Sequence, residues 1–377
     1  MSCALHLPQR AERGVPAAAL RRARSLACGV ALAALLAGCA SGPKFMSLHA
    51  VDSAEERKLF FPPLPEIPRY VYAGQLLGEV NFQEEKKTMS SARSFFRWLV
   101  GLDEQRQIEL QRPQTGVVDE AGRVYVTDAG QGAVFVFDPV GGELSVWSKA
   151  EGMLGFSTPS GIALGPGGEV LVADSKLGVV ARLDRKGETR AAIGRGLLKR
   201  PTGLAYDAKA RLLYVSDTGA HDIKVFDDQG KLLKTLGRRG EGPGEFNFPT
   251  HLAFANGELY VTDAMNSRIQ VLDAATGAVT LRLGERGIYL GNLVRPKGVA
   301  VDGEGNIYVV ESYHDHLLVF NRGGQLLLAL GGTGGDIGQF YLPAGVWVDR
   351  GNRVFVSDMF NARVVVFQFL GGSGDGK

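Results

Sequence analysis

The chain has 377 residues, of which 45% are hydrophobic and 22% charged, and its formal net charge is +2. This composition is that of a globular protein, and it excludes a disordered chain or one that crosses a membrane many times. Glycine is abundant, with 51 residues, which is typical of a fold with many turns between short strands.

The first 38 residues have the layout of a secretory signal. A basic cluster at 21–24 precedes an apolar run at 26–36 that is too short to span a bilayer. The run leads into Leu-Ala-Gly-Cys at 36–39, which resembles the bacterial lipobox, where a peptidase cuts before a lipid-modified cysteine. The resemblance implies lipidation of Cys39 and, because Ala40 rather than an aspartate follows, an outer-membrane lipoprotein. The alternative is an ordinary signal peptide with a chance cysteine.

Cleavage before Cys39 would change the charge and the cysteine content. It would remove five arginines and one glutamate and leave a net charge of −2, which argues against a dedicated nucleic-acid binder. It would also remove Cys3 and Cys28, so the mature fold would have no internal disulfide and no catalytic cysteine. The proline-containing residues 39–65 are predicted to form an extended membrane tether.

From residue 113 onward the chain repeats itself six times. Each repeat opens with a proline before an apolar run, and it continues into a β-branched or aromatic triplet such as Ile-Tyr-Val at 307–309. An acidic residue then closes this second strand. Four short strands in each unit of forty-odd residues predict one blade of a β-propeller. The repeat prolines are Pro113, Pro159, Pro201, Pro249, Pro296 and Pro343.

The repeats have a specific resemblance. Pro-Lys-Gly-Val-Ala-Val-Asp at 296–302 and Asp-Ala-Met-Asn-Ser-Arg-Ile-Gln-Val-Leu-Asp at 263–273 resemble NHL repeats. This implies an all-β, six-bladed β-propeller with four-stranded blades. The sixth repeat ends after its third strand, so an N-terminal strand at 70–78 is predicted to close the ring. The predicted order is 1–38 signal peptide, 39–65 tether, 66–111 closing strand plus helical insertion, 112–370 propeller and 371–377 flexible tail.

The acids that close the second strands form a column. An aspartate at a strand end accepts hydrogen bonds from turn amides, so a structural role is the interpretation that we favour over a ring of metal ligands. In two blades an arginine follows five residues later, whereas Glu311 is followed by His316, a longer acid facing a shorter base. The structural acid column is Asp128, Asp174, Asp217, Asp263, Glu311 and Asp358.

Histidines mark a candidate ligand-binding face. His251 is the second residue after a blade proline, where four other blades have glycine, and this position lies near the axial channel of a propeller. His221 and His314 lie in turns expected on the same face, beside Glu311. A histidine-containing channel mouth resembles the peptidylglycine amidating lyases, which use zinc. Those enzymes place their metal histidines directly after blade prolines, where this chain has none, so we predict no metal, no cofactor and no catalytic residue.

The sequence therefore predicts a non-catalytic binding or scaffold propeller, held by lipid on the outer membrane. No nucleophile elbow, His-Glu-x-x-His motif or phosphate loop occurs in the chain. The expected partner is another envelope protein or an envelope ligand, without nucleic acid, and the protein is expected to be a monomer. Two alternatives stay open: a metal-dependent lyase or hydrolase in the axial channel, and a propeller that senses a glycan or small ligand.

Overall fold

The computed structural model describes residues 44–48, 59–84 and 107–371. The chain divides into Met1–Pro43, which lies outside those ranges, and a compact unit, Lys44–Lys377. Helix in the described ranges is limited to short 3-10 turns, and none of these is long and apolar enough to cross a membrane. The 3-10 turns are Glu79–Asn81, Pro166–Gly168 and Ala264–Asn266.

Six antiparallel sheets form a closed ring, which confirms the predicted six-bladed propeller. The first strands of successive blades contact each other all the way round the axis, from blade 6 back to blade 1. Within blades 1 to 5, strands that follow each other in the chain are neighbours in the sheet. Blades 1 to 3 consist of Pro113–Val118, Val124–Asp128, Ala133–Asp138 and Glu143–Trp147; Pro159–Leu164, Val170–Asp174, Val179–Leu183 and Thr189–Ile193; and Pro201–Asp207, Leu212–Asp217, Asp222–Asp227 and Leu232–Leu236.

The core lies between the blades rather than within one of them. The second strands are buried over their whole length in blades 1, 2 and 5, because each is covered by a neighbouring blade on both faces. One cluster, for example, joins Tyr125 and Val134 of blade 1 to Ile162 and Val172 of blade 2. Blades 4 and 5 consist of Pro249–Ala255, Glu258–Asp263, Arg268–Asp273 and Val279–Leu283; and Pro296–Val301, Ile307–Glu311, His316–Phe320 and Leu326–Gly331.

An N-terminal strand closes the ring, as predicted. Tyr70–Leu76 pairs antiparallel with Arg363–Phe369, the third strand of blade 6, and so supplies the missing fourth strand. Leu76 is fully buried, and the Tyr70 hydroxyl lies 3.1 Å from the hydroxyl of Tyr308 in blade 5. The closing strand therefore contacts two blades. The other strands of blade 6 are Val346–Val348 and Arg353–Asp358.

Parts of the predicted tether pack against the propeller, which differs from the expectation of an extended spacer. Phe60–Phe61 adds a fifth strand to blade 6, and Phe61 lies edge-on to Phe367 with ring centroids 5.5 Å apart. Lys44–Met46 pairs with Phe82–Glu84. The apolar side chains of these short segments bury surface that an extended tether would leave in water. A small hairpin, Lys149–Glu151 with Leu154–Gly155, completes the strands of the described residues.

Three predicted features cannot be compared with the structure. The lipobox cysteine lies outside the described residues. So do residues 85–106, which contain most of the predicted helical insertion, and residues 372–377 of the predicted tail. These features stay predictions.

Candidate functional site

The six first strands line an axial cavity of about 230 Å³. Glycines bring neighbouring blades together at one level of this channel. A Cβ built on Gly203 would lie 2.9 Å from the Cα of His251 in the next blade, and one built on Gly298 would lie 2.6 Å from the Val346 amide nitrogen. Most of the wall is apolar, including Val117, Ile162, Leu204, Val299 and Trp347.

His251 breaks the glycine column and places an imidazole in the channel wall. Its Nδ1 is buried and has no hydrogen-bond partner among the described residues, although the ring is partly accessible from the channel. Within the described residues, Thr250 Oγ1 and Trp347 Nε1 are also buried without a hydrogen-bond partner. Burial, together with the smaller effect of the nearby Lys297 charge, lowers the pKa of His251 to about 3. The ring is therefore neutral near pH 7.

The mouth of the channel carries positive charge. Arg112, Arg200 and Arg295 directly precede blade prolines and are exposed, and none of their side chains pairs with an acid in the described ranges. Burial lowers the pKa of Lys297, which follows the proline of blade 5, and the charge of Arg295 contributes to the same shift. No aspartate or glutamate occurs from the residue before each blade proline to the second residue after it. These cations therefore have no ion-pair partner among the described residues, although the buried carboxylates of Asp128, Asp217 and Glu311 accept hydrogen bonds from the backbone amides of Arg112, Arg200 and Arg295.

These cations were not predicted from the sequence, although a signal for them is present. The second residue after each blade proline identifies His251, whereas the cations stand at the residue before the proline and at the one directly after it. The cationic residues are far apart in the chain, and only the repeat register brings them to one rim. The partnerless Trp347 nitrogen had no sequence signal, because its environment depends on how adjacent blades pack.

The acid column holds the innermost strands in place. Asp128 accepts hydrogen bonds from the backbone amides of Gln111, Arg112, Gly130 and Gln131 at 2.6–3.1 Å. In blades 1, 2 and 5 the carboxylate therefore ties the start of the first strand to the turn after the second strand. The other five acids also accept a hydrogen bond from a backbone amide just before the first strand of their blade, and all six acids are buried. These five are Asp174, Asp217, Asp263, Glu311 and Asp358.

The structure corrects the pairing expected for blade 5. Glu311 Oε2 contacts His314 Nδ1 at 2.9 Å, whereas the expected partner, His316, has a buried Nδ1 without a partner among the described residues. The short imidazole of His316 does not replace the long arginine of the sister blades. His221 lies elsewhere and accepts a hydrogen bond from the Phe248 amide through Nδ1 at 3.1 Å. His221 therefore contacts the residue before the blade-4 proline, whereas His314 pairs with Glu311 in blade 5.

These histidines do not fit the zinc site that the amidating-lyase resemblance would require. A catalytic zinc typically has three protein ligands within about 2.0–2.3 Å and one open position. In the ranges that the structure describes, no group of three or more histidine, cysteine, aspartate or glutamate side chains is arranged to hold a metal ion. The channel wall contributes one imidazole, His251, to the axial cavity.

Comparisons with known proteins agree with this geometry. Residues 201–282 match a domain family described as a 6-bladed beta-propeller. NHL repeat-containing protein 2 of Bos taurus is 32% identical over 161 residues, which is 34% of this chain and 22% of that protein. The chain is a six-bladed β-propeller of the NHL type. Because the matched part is so small a share of the relative, the relative's wider role does not transfer to this propeller.

Solved structures support the same fold. The NHL propeller aligns with virginiamycin B lyase of Staphylococcus aureus with a TM-score of 0.51 and 12% identity, covering 69% of this chain and 95% of the lyase. It aligns with a gluconolactonase of Xanthomonas campestris with a TM-score of 0.54 and 16% identity, covering 69% and 86%. At these identities the likeness concerns the fold alone, and propellers of one fold host unrelated activities.

Proposed function

We propose that this propeller is a binding module of the bacterial envelope, anchored by lipid at Cys39 to the outer membrane, which holds an anionic ligand at the mouth of its axial channel. The observation that carries the proposal is the set of cations without acid partners around that mouth. Arg295 is exposed, Lys297 is half-buried beside it, and the neutral imidazole of His251 lies next along the channel wall.

Electrostatics favours an anion over a neutral or cationic ligand at this place. Burial of the Lys297 ammonium disfavours its charged form, and an anion bound against it would compensate for the lost hydration. The Thr250 hydroxyl and the Trp347 indole nitrogen are buried without a hydrogen-bond partner in the described residues, and Trp347 lines the axial cavity below the rim.

Apolar residues on the same face support a ligand larger than a simple ion. Met265, Tyr313 and Phe360 lie in turns between second and third strands and are 55%, 64% and 52% exposed. Exposed apolar side chains around a polar centre are typical of a surface that binds another molecule. An anionic envelope polymer, or an envelope protein with an acidic segment, has both the negative charge and the size that this surface favours.

The charge requirement is tested by titrating the processed protein with citrate and with inorganic phosphate at low ionic strength, using calorimetry. Lys297→Met should weaken binding roughly ten-fold or more, because a hydrogen bond to a charged group contributes about 1.5–3 kcal/mol. His251→Ala should weaken it without unfolding the ring, since four other blades have glycine there.

The matched control is Lys209→Met, which removes an exposed lysine from the turn between the first and second strands of blade 3. This variant should bind both anions as the wild type does. Absence of saturable binding at about 10 mM of either anion, or equal affinities for the two lysine variants, contradicts the proposal.

No specific observation favours a metal-dependent lyase or hydrolase in the channel. The same mouth could also serve a propeller that senses a small ligand. Such a sensor would bind a small molecule, whereas a scaffold would bind a larger partner. Equal affinity for citrate and for a long anionic polymer would favour the sensor. A large preference for the polymer would favour the scaffold.

A further inference from the structure

Three loops that lead into blades 4, 5 and 6 share one pattern and one backbone geometry. They occupy 237–246, 284–293 and 331–340, and each begins with a glycine at positive φ and ends with a buried Phe or Leu. In all three, the amide of the tenth residue donates to the carbonyl of the second at 2.8–2.9 Å, and the amide of the ninth donates to the carbonyl of the sixth at 3.0–3.1 Å. The loops can therefore be compared position by position.

In blades 4 and 6 an internal arginine fills the space under this loop. Arg268 donates from its terminal nitrogens to the carbonyls of Glu241, Gly242 and Glu245 at 2.6–3.0 Å. Arg363 donates to the carbonyls of Asp336 and Gln339, which are again the sixth and ninth residues of the loop, at 2.9–3.0 Å. Both arginines are buried, and each also donates from Nε to its column aspartate.

Blade 5 lacks this arginine and has a cavity in its place. His316 stands at the arginine position, and a cavity of about 230 Å³ lies between it and the loop. The loop residues Tyr289 and Asn292 line the cavity, and by position their carbonyls correspond to those that accept the guanidinium in the sister blades. Glu311, which is 1% exposed, takes the place of the column aspartate.

The polar groups around this cavity suit a cation. One carboxylate, that of Glu311, lines it, and no lysine or arginine does. The buried Nδ1 of His316 has no hydrogen-bond partner within the described ranges. His314, whose Nδ1 lies 2.9 Å from Glu311 Oε2, also lines the cavity. The apolar walls are Leu318 inside and Ile288 and Leu290 at an exposed lip.

We propose that the blade-5 cavity binds a guanidinium group supplied by a ligand, in the place where blades 4 and 6 hold their own arginines. The planar guanidinium matches both the loop carbonyls and the carboxylate, as it does in the sister blades. Its source is either a small guanidinium compound or an arginine side chain of a polypeptide whose neighbouring residues contact the apolar lip. The two proposals are tested with probes of opposite charge, so either can fail without the other.

The test titrates the processed protein with two probes, agmatine and the blocked peptide acetyl-Ala-Arg-Ala-amide. Binding is measured by calorimetry and by shifts of the imidazole NMR signals of His314 and His316. The double variant Glu311→Asp/His316→Arg rebuilds the sister-blade pair and fills the cavity. It should bind the probes at least ten-fold more weakly while its melting temperature is equal to or higher than that of the wild type. Tighter binding of the peptide would identify a polypeptide source, and equal binding would identify a small compound.

A control variant outside the cavity tests whether the loss of binding is specific to it. His221→Gln, in blade 3, should leave the affinity for both probes unchanged. The proposal is overturned if neither probe shifts the His316 signal at about 10 mM, or if the filled double variant binds as the wild type does.

Discussion

At the scale of single residues, His251 is the position where sequence and structure agree most closely. Its place in the glycine column was readable from the repeat register alone. Its partnerless Nδ1 and its proximity to Lys297 were not, because both depend on the angle between blades 4 and 5. A side chain that is unusual for its repeat position can therefore be found from the sequence, whereas the residues that surround it in space can be identified only from the structure.

His251 should make the stability of the ring depend on pH. In the unfolded chain the imidazole binds a proton near its ordinary pKa of about 6.5, whereas burial lowers the pKa in the folded state to about 3. Between these values the unfolded state binds more protons, so the free energy of unfolding falls as pH falls below about 6.5. Urea unfolding of wild type and His251→Ala at about pH 7 and about pH 5 measures this. The variant should lose less stability on acidification, and equal losses would contradict the assigned burial.

At the scale of elements, the strands were predictable because β-branched and aromatic triplets recur with a regular spacing. The closing strand, expected at 70–78, is found at Tyr70–Leu76. The segments Lys44–Met46 and Phe60–Phe61 were not predicted, because two or three residues give no periodic signal. The blade-5 cavity was also missed, although aligning the three glycine-rich loops would have marked His316 as the exception.

The closing strand should be required for a stable ring. A chain that begins at residue 101 loses Tyr70–Leu76 and leaves the third strand of blade 6 unpaired. It also loses buried Tyr70 and Leu76, and large buried side chains contribute about 2–5 kcal/mol each, against a total stability of about 5–15 kcal/mol. Calorimetric melting should show a much lower transition temperature or insoluble protein. The control chain begins at residue 44 and should melt as the processed protein does; equal melting of the two truncated chains would refute closure by this strand.

At the scale of the whole molecule, the ring converts distant sequence positions into neighbours. Arg112 and Arg295 are separated by 183 residues, yet both precede the proline of an innermost strand and reach the same mouth. The fold could be predicted because each blade repeats the same local pattern. The site could be predicted only in part, because it arises where the blades differ from one another and where those differences meet around the axis.

The anchor is the whole-molecule feature that sequence alone proposes, and it has a direct test. Lipidation of Cys39 would attach two or three acyl chains, and at about 0.8 kcal/mol for each buried methylene these hold a protein on a membrane almost irreversibly. Cys39→Ala should therefore release the protein in soluble form or leave it unprocessed, whereas Cys28→Ala, within the predicted signal, should change neither. Fractionation with high-salt washing, followed by mass spectrometry of the processed N-terminus, measures both outcomes. A processed Cys39→Ala protein that stays on washed membranes would show that something other than an acylated cysteine holds the propeller there.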